Sequence, residues 1–548
     1  MKIIQLNTYD IDGGAARAAY RLHRGLIEIG QKSRLLTTSK RSRDETVSLL
    51  SPQPRTGESD SDYLSLIQKH YISANRTPLS NTLFSLPYPG LDLTQLQDIL
   101  AADIINLHWI AHFQSPVTLK KLLDLGKPVV WTLHDMWAFT GGCHYASGCN
   151  QYQEDCTNCP QLAQDHYHLA SAILKDKLDR LTHANLTIVT PSRWLAGLAR
   201  NSRLFQHHRV EVIPYSLETN IFIPLGKATA KQRLGIAPDT MTLLAGAGDG
   251  NERRKGFSEL LQALEICGED DRWRDIVKTG RVTLLCFGNP NERLHSLDLP
   301  VVFLGRITSD EKLREIYSAA DLFILPSLED NLPNTLLESM SCGTPVIAFP
   351  VGGIPDIVEN GVTGRILSTI NPKEMAQAII ECAGDQALCW QMGKKSRQVM
   401  ESNHALPVQA KHYLDLYRDL LENQSVEDGR AIFDVWGDVL VAPVPVELTR
   451  GANFERIFPL LVLESLRDEL AGLREQLART EGELEISRTV TGQTQAALSE
   501  ARIELERTQK ELGRVRGRVL AMETSKFWRF RSLWFQFKRA LGLTTELD

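Results

Sequence analysis

The sequence predicts an α/β protein with two doubly wound domains facing a cleft, followed by an α-helical coiled coil. Three observations carry this. Short β-branched runs alternate with longer amphipathic runs over residues 1–215. The alternation restarts after "VEVIPYSLETNIF". From Leu463 onward, apolar residues recur at alternating steps of three and four. At 548 residues the chain is also too long for a single hydrophobic core.

In the first domain "KIIQLNT", "DIINLHW", "PVVWTLHD" and "LTIVTPS" read as buried parallel strands. "AARAAYRLHRGLIEIG" and "HLASAILKDKLDRLTHA" read as helices between them. Residues 40–100 break the alternation. "SPQPRTGESDSD" reads as a mobile loop, and "NRTPLSNTLFSLPYPG" as an excursion beside the cleft. In the second domain, residues 216–423, the strands are "TLLAGAG", "VTLLCFG", "VVFLGRI", "LFILPS" and "PVIAF". Its helices are "KGFSELLQALEICG", "SDEKLREIYSAA" and "NPKEMAQAIIECAG", with "VQAKHYLDLYRDLLEN" closing the domain. Residues 424–459 form a linker to which the sequence assigns no fold.

The coiled coil spans residues 460–523. Its seam runs Leu463, Leu466, Leu470, Leu473, Leu477, Thr480 and Leu484, weakens through Ser487, Thr491 and Thr494, and returns from Leu498 to Met522. As one helix of about eight heptads it reaches on the order of 90 Å and pairs with a second copy. A single exposed helix is the plainer alternative. Residues 524–548 form a basic aromatic tail. Within "KFWRFRSLWFQFKRALGL" six Phe and Trp residues alternate with five Lys and Arg residues, and no acid interrupts them. Such a segment suits an anionic membrane surface, or packs as a helix on the coiled coil or a partner.

Composition narrows the function classes. The net charge of −6 argues against nucleic acid as a main partner. No apolar run spans a bilayer, and the start lacks an export leader pattern. The expectation is a cytoplasmic protein with reduced cysteines, at most peripheral on the membrane. The sequon at Asn75 then carries no meaning.

Chemistry-bearing residues cluster in "SLEDNLPNTLLESMSCGTPVIAF". "LFILPS" is a strand, "LEDNL" a loop and "PNTLLESMS" a helix. Pro333 suits the first helical turn, with Asn331 or Leu332 at the cap. In a parallel sheet this helix start, including Asn334, lies at the ligand-binding edge, where free backbone N–H groups attract an anion such as phosphate. Asp330, in the loop, accepts hydrogen bonds from hydroxyls, and Glu338 does so if its face turns to the cleft. Spacing alone favours a capping Asp and a solvated surface Glu.

This stretch resembles the donor signature of the family 4 retaining glycosyltransferases: an acid, seven residues and a Glu, then a small residue, Met, a small residue and Cys-Gly-Thr-Pro-Val. The match continues through "VGGIPDIVENGVTGRIL". The resemblance covers roughly residues 1–422. It implies the two-domain Rossmann-like GT-B fold, with the donor nucleotide mainly in the C-terminal half, Glu338 on the ribose and Asp330 near the donor sugar. The first acid is usually Glu in this family, and "DNLPN" replaces the commoner "EGFGL", so sugar specificity does not carry over.

A second donor element is "GAGDGNERRKGFSELLQAL". Lys255 and Gly256 match the family's Lys-Gly at the diphosphate. Gly250 occupies the family's Arg position, leaving Arg254 or Arg253 as substitutes. Gly13 and Gly14 follow the first strand, where glycine permits close ligand approach or a tight turn. They lack the three-glycine dinucleotide fingerprint and resemble the family's double-Gly loop. His134 ends a strand at the ligand edge, where the family places a functional His. His108 is a weaker candidate.

Cys143, Cys149, Cys156 and Cys159 crowd one stretch. The final C-x-x-C has zinc-knuckle spacing, the first pair is wider, and a structural zinc and free thiols are the two readings. Similar clusters accompany the branch of the family that includes colanic-acid-type polysaccharide enzymes.

The resulting expectation is a retaining glycosyltransferase. His134, Asp330 and Lys255 stand at the reaction centre. The donor is a UDP- or GDP-linked sugar and the acceptor a growing, lipid-linked cell-surface glycan. No cofactor is required for catalysis. A non-catalytic scaffold organised by the coiled coil is the first rival, and a nicotinamide oxidoreductase the second.

Overall fold

The computed structural model describes residues 1–53, 59–289, 292–423, 441–490 and 495–524. The chain divides into two compact units, the first made of residues 1–56, 77–161 and 170–451, and the second of residues 57–76, 162–169 and 452–548.

The first unit holds two sheets. One contains β1 (Lys2–Tyr9), β2 (Lys32–Ser39), β3 (Val47–Gln53), β4 (Gly90–Leu91), β5 (Ile104–Leu107), β6 (Val129–Thr132), β7 (Leu186–Thr190) and β8 (Arg209–Val212). The other contains β9 (Met241–Ala247), β10 (Val282–Gly288), β11 (Val301–Gly305), β12 (Leu322–Leu325), β13 (Val346–Ala348) and β14 (Gly364–Ile366). β15 (Val441–Glu447) returns to the first sheet, giving the order β4-β15-β3-β2-β1-β5-β6-β7-β8. The second sheet runs β11-β10-β9-β12-β13-β14, parallel throughout. Strand order reverses beside β1 and beside β9, and such switch points open ligand crevices at the strands' carboxyl ends.

The buried strands read as expected because both faces are covered: all seven residues of β9 and all four of β12 are buried. The second-domain core gathers Leu243, Ala245, Leu284, Cys286, Leu322 and Ile324 against helix Phe257–Cys267 and helix Pro372–Gly384.

Four expectations change. Helix Leu406–Glu422 closes the first domain, not the second. Ala410, Tyr413 and Tyr417 pack with Ile3, Leu22, Leu26 and Val130, and Tyr417 accepts from Asn106 Nδ2 at 2.9 Å. Gly25 makes room for it, since a Cβ there stands 2.7 Å from the Leu406 carbonyl oxygen. The linker, read as 424–459, contains β15, paired parallel to β3 and antiparallel to β4.

In the second unit, the last residues of the expected mobile loop, 59–62, open helix Ser59–Leu66, and a π-helical turn Ile67–Ile72 follows it. Burial of Leu64, Leu66, Ile67, Tyr71 and Ile72 accounts for this. The coiled-coil segment is two helices, Ala452–Val490 and Gln495–Thr524, rather than one continuous rod. They run antiparallel against each other, with Arg518 donating to Glu469 at 2.9 Å and Arg467 3.7 Å from Glu523. Leu466, Thr480, Leu484, Thr508, Leu512 and Val515 are buried. These seam positions are covered within one chain, whereas Leu463, Leu470, Leu473 and Leu477 stay half-buried.

No helix among the described residues is long and apolar enough to cross a membrane. The tail, residues 526–543, lies outside the described residues.

Candidate active site

A cavity of about 340 Å³ opens where the carboxyl ends of β9 and β12 meet the helix starting at Asn334. Gly14, His134, Asp135, Tyr145 and Tyr215 line it from the first-domain side, and Arg254, Lys255, Asp330, Asn331, Leu332, Pro333 and Asn334 from the second. Most of the residues that the sequence singled out line this one cavity.

Asp330 is its electrostatic centre. The carboxylate is buried, yet Lys255 Nζ lies 2.7 Å from Oδ2 and Arg254 Nη1 3.1 Å from the same oxygen. Burial pushes its pKa up, but these two cations, with Lys255 the stronger, hold it below the usual carboxylate value. Arg254 also stacks over the Tyr145 ring, 4.3 Å from its centroid, and donates to the Glu329 carbonyl. Of the two arginines considered for the place held by Gly250, Arg254 is the one that reaches Asp330 and lines the cavity. Arg253 instead pairs with Glu259 at 2.7 Å.

Glycines set this geometry. Gly256 has φ +70°, and a Cβ there stands 1.8 Å from the Pro326 carbonyl oxygen, so the Lys255 loop closes on the end of β12 only without a side chain. Gly352 does the same for the acidic loop, where a Cβ meets the Asp330 carbonyl oxygen at 1.5 Å.

Pro333, not Asn331 or Leu332, is the residue preceding the helix, and no side chain caps that helix start. Asn331 is used elsewhere. Its Nδ2 donates to the His134 carbonyl at 3.0 Å and its Oδ1 accepts from Ser192 at 2.7 Å. Asn334 Nδ2 donates to the Gly14 carbonyl at 2.9 Å. Gly13 has φ +97° and precedes the first helix, but Gly14 is the glycine on the cavity wall.

Two expected residues are placed differently. Glu338 does not line this cavity. Its carboxylate accepts from Arg21 at 2.9 Å and from Tyr317 at 3.3 Å, both buried. His134 lines the cavity, but both ring nitrogens are taken, Nδ1 by the Tyr215 hydroxyl at 2.5 Å and Nε2 by His108 at 3.0 Å. Burial lowers its pKa to about 4, so it is a neutral ring.

The four cysteines line one smaller cavity, and burial raises Cys143 and Cys156. Among the described residues no three His, Cys, Asp or Glu side chains are arranged to hold a metal ion. As placed, the sulfurs share a cavity without forming the expected zinc ligand set.

Family models match both halves of the first unit. "Glycosyltransferase Family 4" matches residues 12–220, and "Glycosyl transferases group 1" matches residues 243–385. The chain belongs to the family 4 glycosyltransferases. Its two-sheet unit has the GT-B fold, and a sucrose-phosphate synthase from Thermosynechococcus elongatus aligns with it at TM-score 0.52 and 19% identity, over 77% of this chain and 100% of that one. Anabaena HepE, solved in complex with UDP, aligns at TM-score 0.50 and 16% identity, over 76% and 100%. By sequence, the family 4 chain is 32% identical to a D-inositol 3-phosphate glycosyltransferase of Streptomyces bingchenggensis over 31% of its own length, spanning only 38% of that protein. It is 23% identical to an Escherichia coli K12 protein named for colanic acid biosynthesis glycosyl transfer, over 69% of this chain and 92% of that one.

Sequence reasoning missed Arg21, Tyr145, Ser192 and Tyr215. Tyr145 and Tyr215 follow marked positions, the "TGGC" turn and the segment joining the two domains, but nothing local announces their side chains.

Proposed function

We propose that the protein is a retaining glycosyltransferase that moves a sugar from a nucleotide-sugar to a hydroxyl of a growing, lipid-linked glycan. The observation that carries this is the convergence of Lys255 and Arg254 on Asp330 beside the start of helix Asn334–Ser341, inside one cavity. Two cations and free helix N–H groups suit a diphosphate, and a carboxylate beside them suits sugar hydroxyls. The family membership supports the same reading.

In the reaction the bond between the anomeric carbon and the diphosphate oxygen breaks. Lys255, Arg254 and the helix start stabilise the charge on the departing diphosphate. The acceptor oxygen bonds to the anomeric carbon from the same face, and its proton passes to the leaving phosphate oxygen. Asp330, already held as an anion, favours the positive charge that develops on the sugar. The assembled cluster supports catalysis over the scaffold alternative. UDP-sugars are the first donors to try, since a fold neighbour was solved with UDP.

The test is release of nucleoside diphosphate from UDP- and GDP-sugars with a membrane glycan extract as acceptor, and the anomeric configuration of the product read by NMR. Acceptor-dependent release with retained configuration is expected. No release from any nucleotide-sugar, or inversion, contradicts the proposal.

A further inference from the structure

The cavity wall holds two kinds of group. Lys255 and Arg254, with the carboxylates of Asp330, Asp135 and Glu252, bring charge to it, whereas Tyr215, His134 and Trp109 bring uncharged groups. The two cations suit a phosphate, and the uncharged groups a neutral sugar. His134 has no ring nitrogen to spare, because Tyr215 and His108 hold both. The hydrogen-bonding capacity that remains on this wall depends on which way the shared protons point.

The chain continues inward. His108 Nε2 lies 2.6 Å from Gln5 Oε1, and Gln5 Nε2 is buried with no hydrogen-bond partner. In that orientation Gln5 accepts from His108, His108 accepts from His134, and His134 accepts from Tyr215. Tyr215 then spends its proton inside the protein and Gln5 is left with an orphaned donor, which is costly when buried. The two ends of an amide have the same shape, so its orientation is set by the bonds it makes. With the amide turned over, Gln5 Nε2 donates to His108 Nε2, which removes the orphan. The amide oxygen then takes the place of the unpartnered nitrogen. The Tyr417 hydroxyl, beside the Gln5 side chain, already accepts from Asn106 at 2.9 Å and gains an acceptor for its own proton. The remaining protons follow: His108 Nδ1–H donates to His134 Nε2, and His134 Nδ1–H donates to the Tyr215 oxygen.

We propose that the Tyr215 hydroxyl donates a hydrogen bond to the sugar of a nucleotide-sugar in this cavity, with Gln5, His108 and His134 as the buried chain that turns its proton outward. This rests on the glycosyltransferase reading above. Burial keeps the parts in the required states: His134 is neutral with its pKa near 4, His108 lies well below the usual histidine value, and Tyr215 lies well above the usual phenol value. Tyr215 contacts the ligand, and His134, His108 and Gln5 are positioning residues. In the segment between β8 and β9, Tyr215 is one residue that the two halves of the site share.

Two measurements test this on the full chain. Nitrogen-15 NMR of labelled histidines reads the tautomers without any ligand. Both His134 and His108 are expected as neutral Nδ1–H forms at pH 7, and the Nε2–H form at His134 overturns the proposal. Calorimetry then compares UDP with UDP-glucose. Tyr215→Phe is expected to weaken UDP-glucose binding about tenfold, the worth of one hydrogen bond, and to leave UDP affinity within about twofold. His108→Leu is expected to act likewise, and the double variant to be no worse than either single one. Unchanged UDP-glucose binding by Tyr215→Phe, or equal losses for both ligands, overturns the Tyr215 assignment alone. If the wild-type chain binds neither ligand, GDP and a GDP-linked sugar take their place in the same comparison; if it binds none of the four, the nucleotide-sugar reading fails and the assignment falls with it.

Discussion

Arg21 holds the Glu338 carboxylate at 2.9 Å, and the same guanidinium reaches Glu218 at 2.8 Å and Asn334 at 3.0 Å. Arg21 lies in the first domain's opening helix and Glu338 in the helix beside the cavity, so one buried cation joins the two halves of the site. Glu338 and Glu218, together with Glu338's hydrogen bond, outweigh burial and push the Arg21 pKa further up.

Breaking that arrangement is expected to unfold the protein more readily. Arg21→Ala leaves two carboxylates without their cation and is expected to cost about 3–5 kcal/mol. Arg21→Met with Glu338→Leu, which removes one charge of each sign, is expected to recover part of the loss. Urea midpoints measure both. An Arg21→Ala midpoint equal to wild type contradicts the burial argument.

Gly256→Ala is expected to disable the site through the backbone. The new methyl cannot share space with the Pro326 carbonyl, and φ +70° adds strain of order 1–3 kcal/mol. The Lys255 loop moves, so transfer falls more than the melting temperature alone accounts for. Wild-type turnover by this variant contradicts the role given to the close approach.

Stability is expected to fall as pH drops below about 6.5. His23 is buried between Ser33 and Thr46 at 2.8 Å each, and its pKa is lowered to about 4, mainly by burial. His134 is lowered to about 4 by burial, and His108 further. Between the unfolded and folded values the unfolded chain binds more protons, so stability rises with pH in that window. Each such histidine contributes a slope of up to ~1.4 kcal/mol per pH unit. The contribution is complete above pH 6.5 and is lost progressively down to about pH 4. Denaturant midpoints from pH 7.5 to 5 check the sign, and a flat profile contradicts it.

The helical pair of the second unit is expected to depend on its own seam. Leu466→Ala empties a fully buried position and is expected to cost about 2–5 kcal/mol. Thermal melting followed by circular dichroism reads the loss. A wild-type melting curve for Leu466→Ala contradicts the packing described.

Much of this fold is legible in the sequence where both faces of a strand are buried. β5, β6, β9, β10 and β12 are short apolar runs that nothing else explains. β2 and β14 escape notice because "KSRLLTTS" and "GRI" have little apolar pattern and gain their place from ladder pairing. β15 lies far along the chain from its partners β3 and β4, a distance periodicity does not report. The helical seam shows which residues meet but not whether they meet in one chain or two. At the site, Lys255, Asp330 and Gly14 are legible because the family motif marks them. Arg21 and Tyr215 act through contacts that exist only once the two sheets are assembled.

The proposed function requires Lys255 and its neighbours to hold a nucleotide-sugar in the cavity of about 340 Å³. Calorimetric titration of UDP-sugars, GDP-sugars and NAD into wild type and Lys255→Ala tests it most directly. A nucleotide-sugar is expected to bind the wild type, and Lys255→Ala, still folded, to lose at least about tenfold in affinity, the order expected for a charge-assisted hydrogen bond. Binding of NAD alone, or equal nucleotide-sugar affinity in both proteins, contradicts it.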